Sequence, residues 1–386
     1  MKITKVEGVL LSAELAEEHI VRWSGGEMAI ANSALVVIHT DEGITGIGDT
    51  YAGGWFYPEA AKAIVEHFAP LLIGEDPRDP TKLARMIWNK SLYWGRVGAG
   101  ANAVSAIENA LWDVAGQAAG LPVWQMLGGK VHDRIKVYAS AGLQKPDAAV
   151  RDEMRSHLAT GYRAVKIRVP TDIDAAVHKV RICREALGPG VELMVDAVMG
   201  SHPEPWQAKT AINFAHAIEE FDIAWLEEPC AGDDYEGYAR VRKATRIPVS
   251  GGETSFGLGE FRHFFNYGSL DIAQPDACTS GGIVECKRIC AAAAVHGVRI
   301  APHAWGSGAT VMANAHWAFT EPNVFVQEIP TWGFPLRDEL LVEPIVLDAD
   351  GCIAPPGAPG LGLKLTDDVR ARYGYRPGGG ATMRKG

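Results

Sequence analysis

The segment Ala224-Trp225-Leu226-Glu227-Glu228-Pro229 is an apolar run that ends in two acidic residues and a proline. A short apolar run of this kind is typical of a strand that is buried on both faces of a parallel sheet. Seven more β-rich runs lie between residues 136 and 328, separated by helical segments, and nearly every one finishes on a charged or polar residue. This alternation predicts eight consecutive β/α units.

The eight predicted strands place their polar ends together. They are Lys136–Ser140, Ala164–Val169, Glu192–Ala197, Ala224–Glu228, Val249–Glu253, Ile272–Asp276, Arg299–His303 and Val324–Glu328. Parallel strands that close into a (β/α)8 barrel bring their carboxyl ends to one face, which carries the active site in enzymes of this architecture. We therefore expect the α/β fold class, with a C-terminal (β/α)8-type TIM barrel and a functional site at that face.

The first third of the chain has a different pattern. Residues 2–50 alternate apolar and polar side chains, which predicts an antiparallel hairpin or meander. Helical periodicity follows over Ala60–Ile73, Lys82–Asn89 and Ala103–Ala119. The predicted division is an N-terminal α+β capping domain over residues 1–130, the barrel over 131–350, and a segment over 351–386 that returns toward the cap and ends in a flexible tail.

The composition excludes several classes of protein. Hydrophobic residues make up 47% of the 386 residues and charged residues 22%, which excludes a largely disordered chain. The net charge is −10 and no basic run occurs, so nucleic acid is a poor partner. No apolar stretch approaches the ~18 residues that cross a bilayer, and the first residues lack an apolar signal core. We therefore expect a cytoplasmic protein without a membrane partner.

Three carboxylates end three consecutive predicted strands. Asp196, Glu227 and Glu253 are 31 and 26 residues apart, which is one β/α unit per step. Any one of them could instead cap a helix or pair with a surface lysine. Three acids in register, however, repel one another in a poorly solvated cavity unless a cation compensates them. Oxygen ligands without cysteine or paired histidine favour Mg²⁺ over Zn²⁺, with Mn²⁺ as a possible substitute.

A histidine and an aspartate end two further neighbouring strands. Asp276 closes the sixth predicted strand and His303 the seventh, so the carboxylate can hydrogen-bond one ring nitrogen and raise the basicity of the other. A lone histidine is more often structural, and the adjacent acid is what favours an acid/base pair. Lys166 and Arg168 on the second strand and Glu328 on the eighth complete the polar residues expected at this face.

The chain resembles the enolase superfamily, in its mandelate racemase subgroup, through both the cap and the barrel. The strings that carry the resemblance are Ala106–Asp113, Gly120–Pro122, Leu127–Gly129, Trp225–Pro229, Gly252–Glu253, Gln274–Asp276, Pro302–His303 and Pro359–Gly362. The resemblance implies a small carboxylate as substrate and removal of the proton next to its carboxylate group, giving an enediolate. It also implies a homo-oligomer.

The resemblance also implies roles for individual residues. Asp196, Glu227 and Glu253 would bind Mg²⁺, with Glu228 placed behind these ligands. His303 with Asp276 would be the acid/base dyad, and Glu328 a hydrogen-bond donor or electrostatic aid to the substrate carboxylate. Lys166 fits the role of a cation that stabilises the charge developing as the proton leaves.

One departure from the subgroup bears on the reaction. Two-base members carry Lys-x-Lys on the second strand, whereas this chain reads Lys166-Ile167-Arg168. Arginine holds its proton in essentially any protein site and is a poor general base. A one-base dehydration of a sugar acid, an aldonate or aldarate, to a 2-keto-3-deoxy acid is therefore favoured over racemisation. An epimerase, racemase or cycloisomerase acting on a carboxylate or a sugar-acid lactone stays open if Lys166 or a cap-loop residue acts as a second proton carrier. A catalytically idle metal-binding barrel is a separate alternative.

A second departure concerns substrate recognition. Val198 stands where many relatives have an asparagine that contacts the substrate or metal-bound oxygens. Polar recognition must then come from other residues at this face or from the cap loops. The candidates for substrate binding are Trp23, Tyr51, Ser140 and Trp305, although aromatic residues also pack domain interfaces.

Overall fold

A computed structural model of the chain describes residues 1–23 and 26–383. Its strands are β1 (Ile3–Glu14), β2 (Val21–Trp23), β3 (Gly26–Met28), β4 (Ile30–Thr40), β5 (Thr45–Asp49), β6 (Ile135–Ser140), β7 (Ala164–Arg168), β8 (Glu192–Asp196), β9 (Ile223–Glu227), β10 (Val249–Gly251), β11 (Ile272–Ala273), β12 (Arg299–Ile300), β13 (Val326–Pro330), β14 (Cys352–Ile353) and β15 (Thr382–Met383).

Its helices are α1 (Ala52–Phe56), α2 (Pro58–Leu72), α3 (Pro80–Ser91), α4 (Ala99–Ala119), α5 (Val123–Met126), α6 (Asp147–Ala159), α7 (Ile173–Leu187), α8 (Ala208–Ile218), α9 (Tyr235–Ala244), α10 (Gly257–Tyr267), α11 (Ile283–Val295), α12 (Gly308–Ala318), α13 (Leu336–Glu339) and α14 (Asp367–Arg372). None of the helices in the described ranges is long and apolar enough to cross a membrane.

The N-terminal part is an antiparallel sheet covered by helices. Its strand order is β1-β4-β5, and the central strand β4 is buried along most of its length. Helix α4 lies close against β5, where a Cβ at Gly48 would stand 2.0 Å from the carbonyl oxygen of Ala106. Only glycine permits that approach of helix to strand. The predicted α+β architecture is confirmed.

The second part is a parallel barrel of eight strands. Their order is β12-β11-β10-β9-β8-β7-β6-β13, and a parallel bridge between Ile300 and Val324 joins the two ends of this path. The helices α6 to α12 lie between successive strands, whereas the eighth strand is followed by the four-residue helix α13. The predicted barrel is confirmed. Apolar side chains from both parts belong to one core cluster, which includes Leu11 and Trp55 of the N-terminal part and Ile329 of the barrel.

Three late strands are shorter than predicted. Strands β10, β11 and β12 end at Gly251, Ala273 and Ile300, so Glu253, Asp276 and His303 lie in loops just beyond them. Pro275 and Pro302 lack the amide donor that a regular ladder needs. The loops nevertheless stay attached to the barrel edge, since the amide of His303 donates to the carbonyl oxygen of Pro275 at 3.3 Å.

The C-terminal segment contacts the cap. The amide of Ser12 donates to the carbonyl oxygen of Tyr373 at 2.8 Å, and β15 pairs with β3. Asp113 of α4 accepts hydrogen bonds from the amides of Ile47 and Leu361, at 2.9 and 2.7 Å. The division of the chain at residues 130 and 350 stays a prediction.

Candidate active site at the carboxyl ends of the barrel strands

The three acids predicted as metal ligands lie together. Asp196 ends β8, Glu227 ends β9, and Glu253 follows β10 by two residues. Asp196 and Glu227 are direct partners in the parallel ladder, so their side chains leave the same edge of the barrel. One carboxylate oxygen from each of the three lies within 4.8 Å of the others, an arrangement that can hold a metal ion.

A buried lysine partly compensates these acids. Lys166 bonds Glu227, and its Nζ lies 3.2 Å from Glu328 Oε1 and 3.6 Å from Asp196 Oδ2. Burial alone would lower the pKa of Lys166, but the attraction to Glu227 and Glu328 outweighs burial and holds the pKa well above its ordinary value. The side chain is therefore a fixed cation at the inner end of the site.

The donor set suits a hard divalent ion. Six carboxylates (Asp196, Glu227, Glu228, Glu253, Asp276 and Glu328) are gathered here with two permanently charged bases, Lys166 and Arg168. Burial raises the pKa of Asp196 and Glu227, although the charge of Lys166 lowers it in both cases. Six carboxylates beside two bases leave an excess of acidic groups, which a divalent cation would offset. Oxygen ligands alone match the preference of Mg²⁺ and Mn²⁺.

His303 and Asp276 form a hydrogen-bonded pair. Nδ1 of His303 lies 2.8 Å from Asp276 Oδ2, while Nε2 faces Glu253 at 3.7 Å and Glu328 at 3.8 Å. Burial would lower the pKa of His303, but the charges of Glu253 and Glu328 and the hydrogen bond with Asp276 raise it to about 9. A cation bound among these acids would oppose this increase.

Glu328 accepts hydrogen bonds in this arrangement. Its Oε2 accepts from the amide of Ala304 at 2.6 Å, and its Oε1 faces Lys166. Burial would raise the pKa of Glu328, but the charges of Lys166 and His303 lower it to about 2. An ionised Glu328 has no proton to donate to a substrate. Its predicted role toward the substrate carboxylate, as a hydrogen-bond donor or an electrostatic aid, stays a prediction.

Glu228 is buried beside the acidic cluster. It follows β9 with a φ of 45°, which turns the chain away from the strand. Its Oε1 is buried without a hydrogen-bond partner among the described residues. Burial and then repulsion from Glu253 and Asp196 raise its pKa well above the ordinary value.

Two of the predicted substrate-binding residues contact Arg168. The guanidinium stacks 4.0 Å above the ring of Trp305, and both of its terminal nitrogens donate to Ser140 Oγ at 3.5 Å. Tyr51 reaches the site from the cap, and its ring meets the edge of His303 with a centroid distance of 5.3 Å. The prediction for Trp23 concerns a side chain outside the described residues.

Two residues at this face escaped the sequence prediction. Trp332 lies 5.2 Å from Trp305 between ring centroids, and it follows the eighth strand in the kind of loop that carries function in barrels. Asn314 donates a hydrogen bond to Asp276 from within α12. The sequence signal that could have indicated Asn314 is that it is the one polar residue in the run Val311–Ala315. This run is buried throughout except for Met312.

Comparisons with known proteins place the chain in a family. The family model described as "Mandelate racemase / muconate lactonizing enzyme, N-terminal domain" matches residues 8–128, and "Enolase C-terminal domain-like" matches 149–369. The D-galactarolactone cycloisomerase of Agrobacterium fabrum is 33% identical over 97% of this chain and 99% of its own. The D-galactonate dehydratase of Xanthomonas oryzae pv. oryzae is 31% identical over 88% of this chain and 90% of its own.

A solved structure agrees with this assignment. The 3,6-anhydro-D-galactonate cycloisomerase from Zobellia galactanivorans superimposes with a TM-score of 0.87 at 31% identity, covering 97% of this chain and 99% of that one. Matches over both parts of the chain fit the cap and barrel described above. The chain therefore belongs to the mandelate racemase subgroup of the enolase superfamily.

Proposed function

We propose that the chain is a Mg²⁺-dependent sugar-acid dehydratase that converts an aldonate or aldarate to a 2-keto-3-deoxy acid. The observation that carries the proposal is the orientation of one imidazole. Nε2 of His303 lies 3.7 Å from Glu253 of the acidic cluster, while Nδ1 lies 2.8 Å from Asp276. The relative named D-galactonate dehydratase supports this reaction class.

Each polar side chain of the site has its own role in this reaction. Asp196, Glu227 and Glu253 would hold the ion, which would supply positive charge beside the substrate carboxylate. Nε2 of His303 takes the α-proton, and Lys166 stabilises the negative charge of the enediolate. The imidazolium then returns a proton to the departing β-hydroxyl, the β-carbon to oxygen bond breaks, and water leaves. The resulting enol tautomerises to the 2-keto acid.

A cycloisomerase is the second candidate, favoured by the names of two relatives. A cyclic sugar acid whose ring oxygen is on the β-carbon is opened by the same removal of the α-proton and loss of the β-oxygen. The ring oxygen stays on the product, as a hydroxyl group when the ring is an ether and as a carboxylate oxygen when the ring is a lactone, so the product has the mass of the substrate. Dehydration of an open acid gives a product lighter by one water.

The test is a panel of aldonic and aldaric acids and their lactones with Mg²⁺, followed by 2-keto acid detection and mass spectrometry. Release of a keto acid lighter than its substrate supports the dehydratase, and an isomeric keto acid supports the cycloisomerase. In D₂O, a mechanism with a single base is expected to leave the α-configuration of the residual substrate unchanged. Deuterium in both configurations would defeat the one-base mechanism, and no product or exchange across the panel would favour an idle metal-binding barrel.

A further inference from the structure

Asp276 has two oxygens with different partners. Oδ2 faces Nδ1 of His303 at 2.8 Å, whereas Oδ1 accepts from Nδ2 of Asn314 at 2.8 Å and from the amide of Cys278 at 2.7 Å. Asp276 and Asn314 are fully buried. The carboxylate plane is therefore fixed from the side opposite to the imidazole.

The orientation of the Asn314 amide is itself determined. Its Oδ1 accepts from the amide of Ala277 at 2.9 Å and from Nε1 of Trp317 at 3.0 Å, and both of these groups are donors only. The Nδ2 group must then point toward Asp276 and toward the carbonyl oxygen of Thr310, which lies at 3.0 Å. A flipped amide would place donors against donors, so only one rotamer satisfies the site.

Asn314 also connects two barrel units. Asp276 follows β11, whereas His303 precedes α12, the helix that carries Asn314. The hydrogen bond therefore ties the acid to the same β/α unit as the histidine. Movement of one unit against the other would strain this bond.

We propose that Asn314 is a positioning residue that orients the Asp276 carboxylate against Nδ1 of His303, so that Nε2 stays free to accept a substrate proton. The inference rests on the proposed function for its kinetic consequence. Removal of the groups that orient metal-binding histidines typically lowers activity by about 10- to 100-fold, and we expect a loss of this size for the partner of Asp276.

Asn109 of α4 provides a matched control. Its Nδ2 donates to the carbonyl oxygen of Ala277 at 3.0 Å, so it supports the same loop, yet no hydrogen bond joins it to the carboxylate of Asp276. N109L and N314L each remove one buried amide from the surroundings of this loop. Only N314L removes a hydrogen-bond donor to the carboxylate of Asp276.

The kinetic experiment compares N314L with N109L on a substrate that the acid and lactone panel yields. We expect N314L to lower kcat by about 10- to 100-fold with little change in KM and in Mn²⁺ affinity, and N109L to keep kcat close to that of the wild type. Equal losses in the two variants, or an unchanged kcat in N314L, would overturn the proposal. If N314L does not fold, the near-isosteric N314D replaces the donor with an acceptor and is expected to lose kcat likewise.

A second readout does not depend on turnover. The Nδ1 proton of His303 in ¹⁵N-histidine-labelled protein is assigned by its loss in H303N, and we expect it to shift in N314L or N314D and to stay in place in N109L. An unmoved resonance overturns the positioning role even if a substrate is found. A shifted resonance in a protein without sugar-acid turnover keeps the positioning role and refutes the proposed function alone.

Discussion

Nε2 of His303 lies 3.7 Å from Oε2 of Glu253, so the proposed base and a proposed metal ligand face the same small volume. Nδ1 of the same ring is occupied by Asp276. A substrate whose carboxylate approaches the acidic cluster would therefore present its α-carbon to the free nitrogen of His303. Proton transfer and metal binding are assigned to different side chains, so each can be tested by its own variant.

The first prediction concerns H303N, which replaces the imidazole with a group that cannot take up a proton. We expect keto-acid formation to fall by at least about 100-fold, because general base catalysis typically contributes that much. Mn²⁺ affinity, measured by electron paramagnetic resonance, should stay within the error of the wild-type value. H178N serves as the control, since His178 pairs with Asp147 on the surface. Unchanged turnover in H303N would remove His303 from the mechanism.

The second prediction concerns E253Q. Glu253 keeps 20% exposure, whereas Asp196 and Glu227 are almost fully buried, so its replacement disturbs the interior least. We expect the amide to weaken Mg²⁺ binding by at least about tenfold, since a charged ligand oxygen is lost. Calorimetric titration measures the affinity, and activity removed by a chelator should return with Mg²⁺ or Mn²⁺. Equal affinity in E253Q and in the exposed-site control E236Q would contradict the assignment.

The third prediction concerns R168K, which creates the Lys-x-Lys pattern of two-base relatives. Nε of Arg168 lies 3.7 Å from Asp196 Oδ2 and the guanidinium stacks on Trp305. Lysine cannot reproduce this planar stacking, but a desolvated amine can exchange a proton. We expect slower dehydration together with α-deuterium incorporation in both configurations, detected by proton NMR in D₂O. R168M, which has no titratable nitrogen, should lose activity without this second exchange, and identical exchange in both variants would refute the prediction.

The positions of the three acids could be predicted because consecutive parallel strands are neighbours in the barrel. Asp196, Glu227 and Glu253 are spaced by one unit each, so their proximity follows from the periodicity and from closure of the sheet. The same reasoning placed Lys166 and Glu328 at this face, and the structure brings Nζ of Lys166 to 3.2 Å from Oε1 of Glu328. Their chemical roles stay proposals.

Other features depend on backbone and packing that no local pattern encodes. Glu228 turns out of its strand at a positive φ, which the sequence Glu227-Glu228-Pro229 does not require. Tyr51 meets His303 only because the cap packs over the barrel mouth, a contact between residues 252 positions apart. Asn314 sits in an alanine-rich helix whose apolar pattern gives no information on which polar group it will meet.

The last prediction concerns stability and Glu108, which lies away from the acidic cluster. This residue of α4 accepts hydrogen bonds from Nε1 of Trp112 and from the amide of Val284, at 3.2 and 3.3 Å. Burial raises its pKa from an ordinary 4.5 to about 7. The folded state thus holds the proton more tightly than the unfolded state. The contribution of protonated Glu108 to the stability of the folded state is complete below about pH 4.5 and is lost as the pH rises through about 7.

E108Q has no proton to lose, so this part of the pH dependence should disappear. Between pH 4.5 and pH 8 the free energy of unfolding of E108Q should rise relative to that of the wild type by up to about 3 kcal/mol. Urea unfolding at several pH values measures it, with E220Q as a control at an exposed carboxylate. If E108Q and the wild type lose stability in parallel over this range, Glu108 ionises in the folded protein as it does in the unfolded chain.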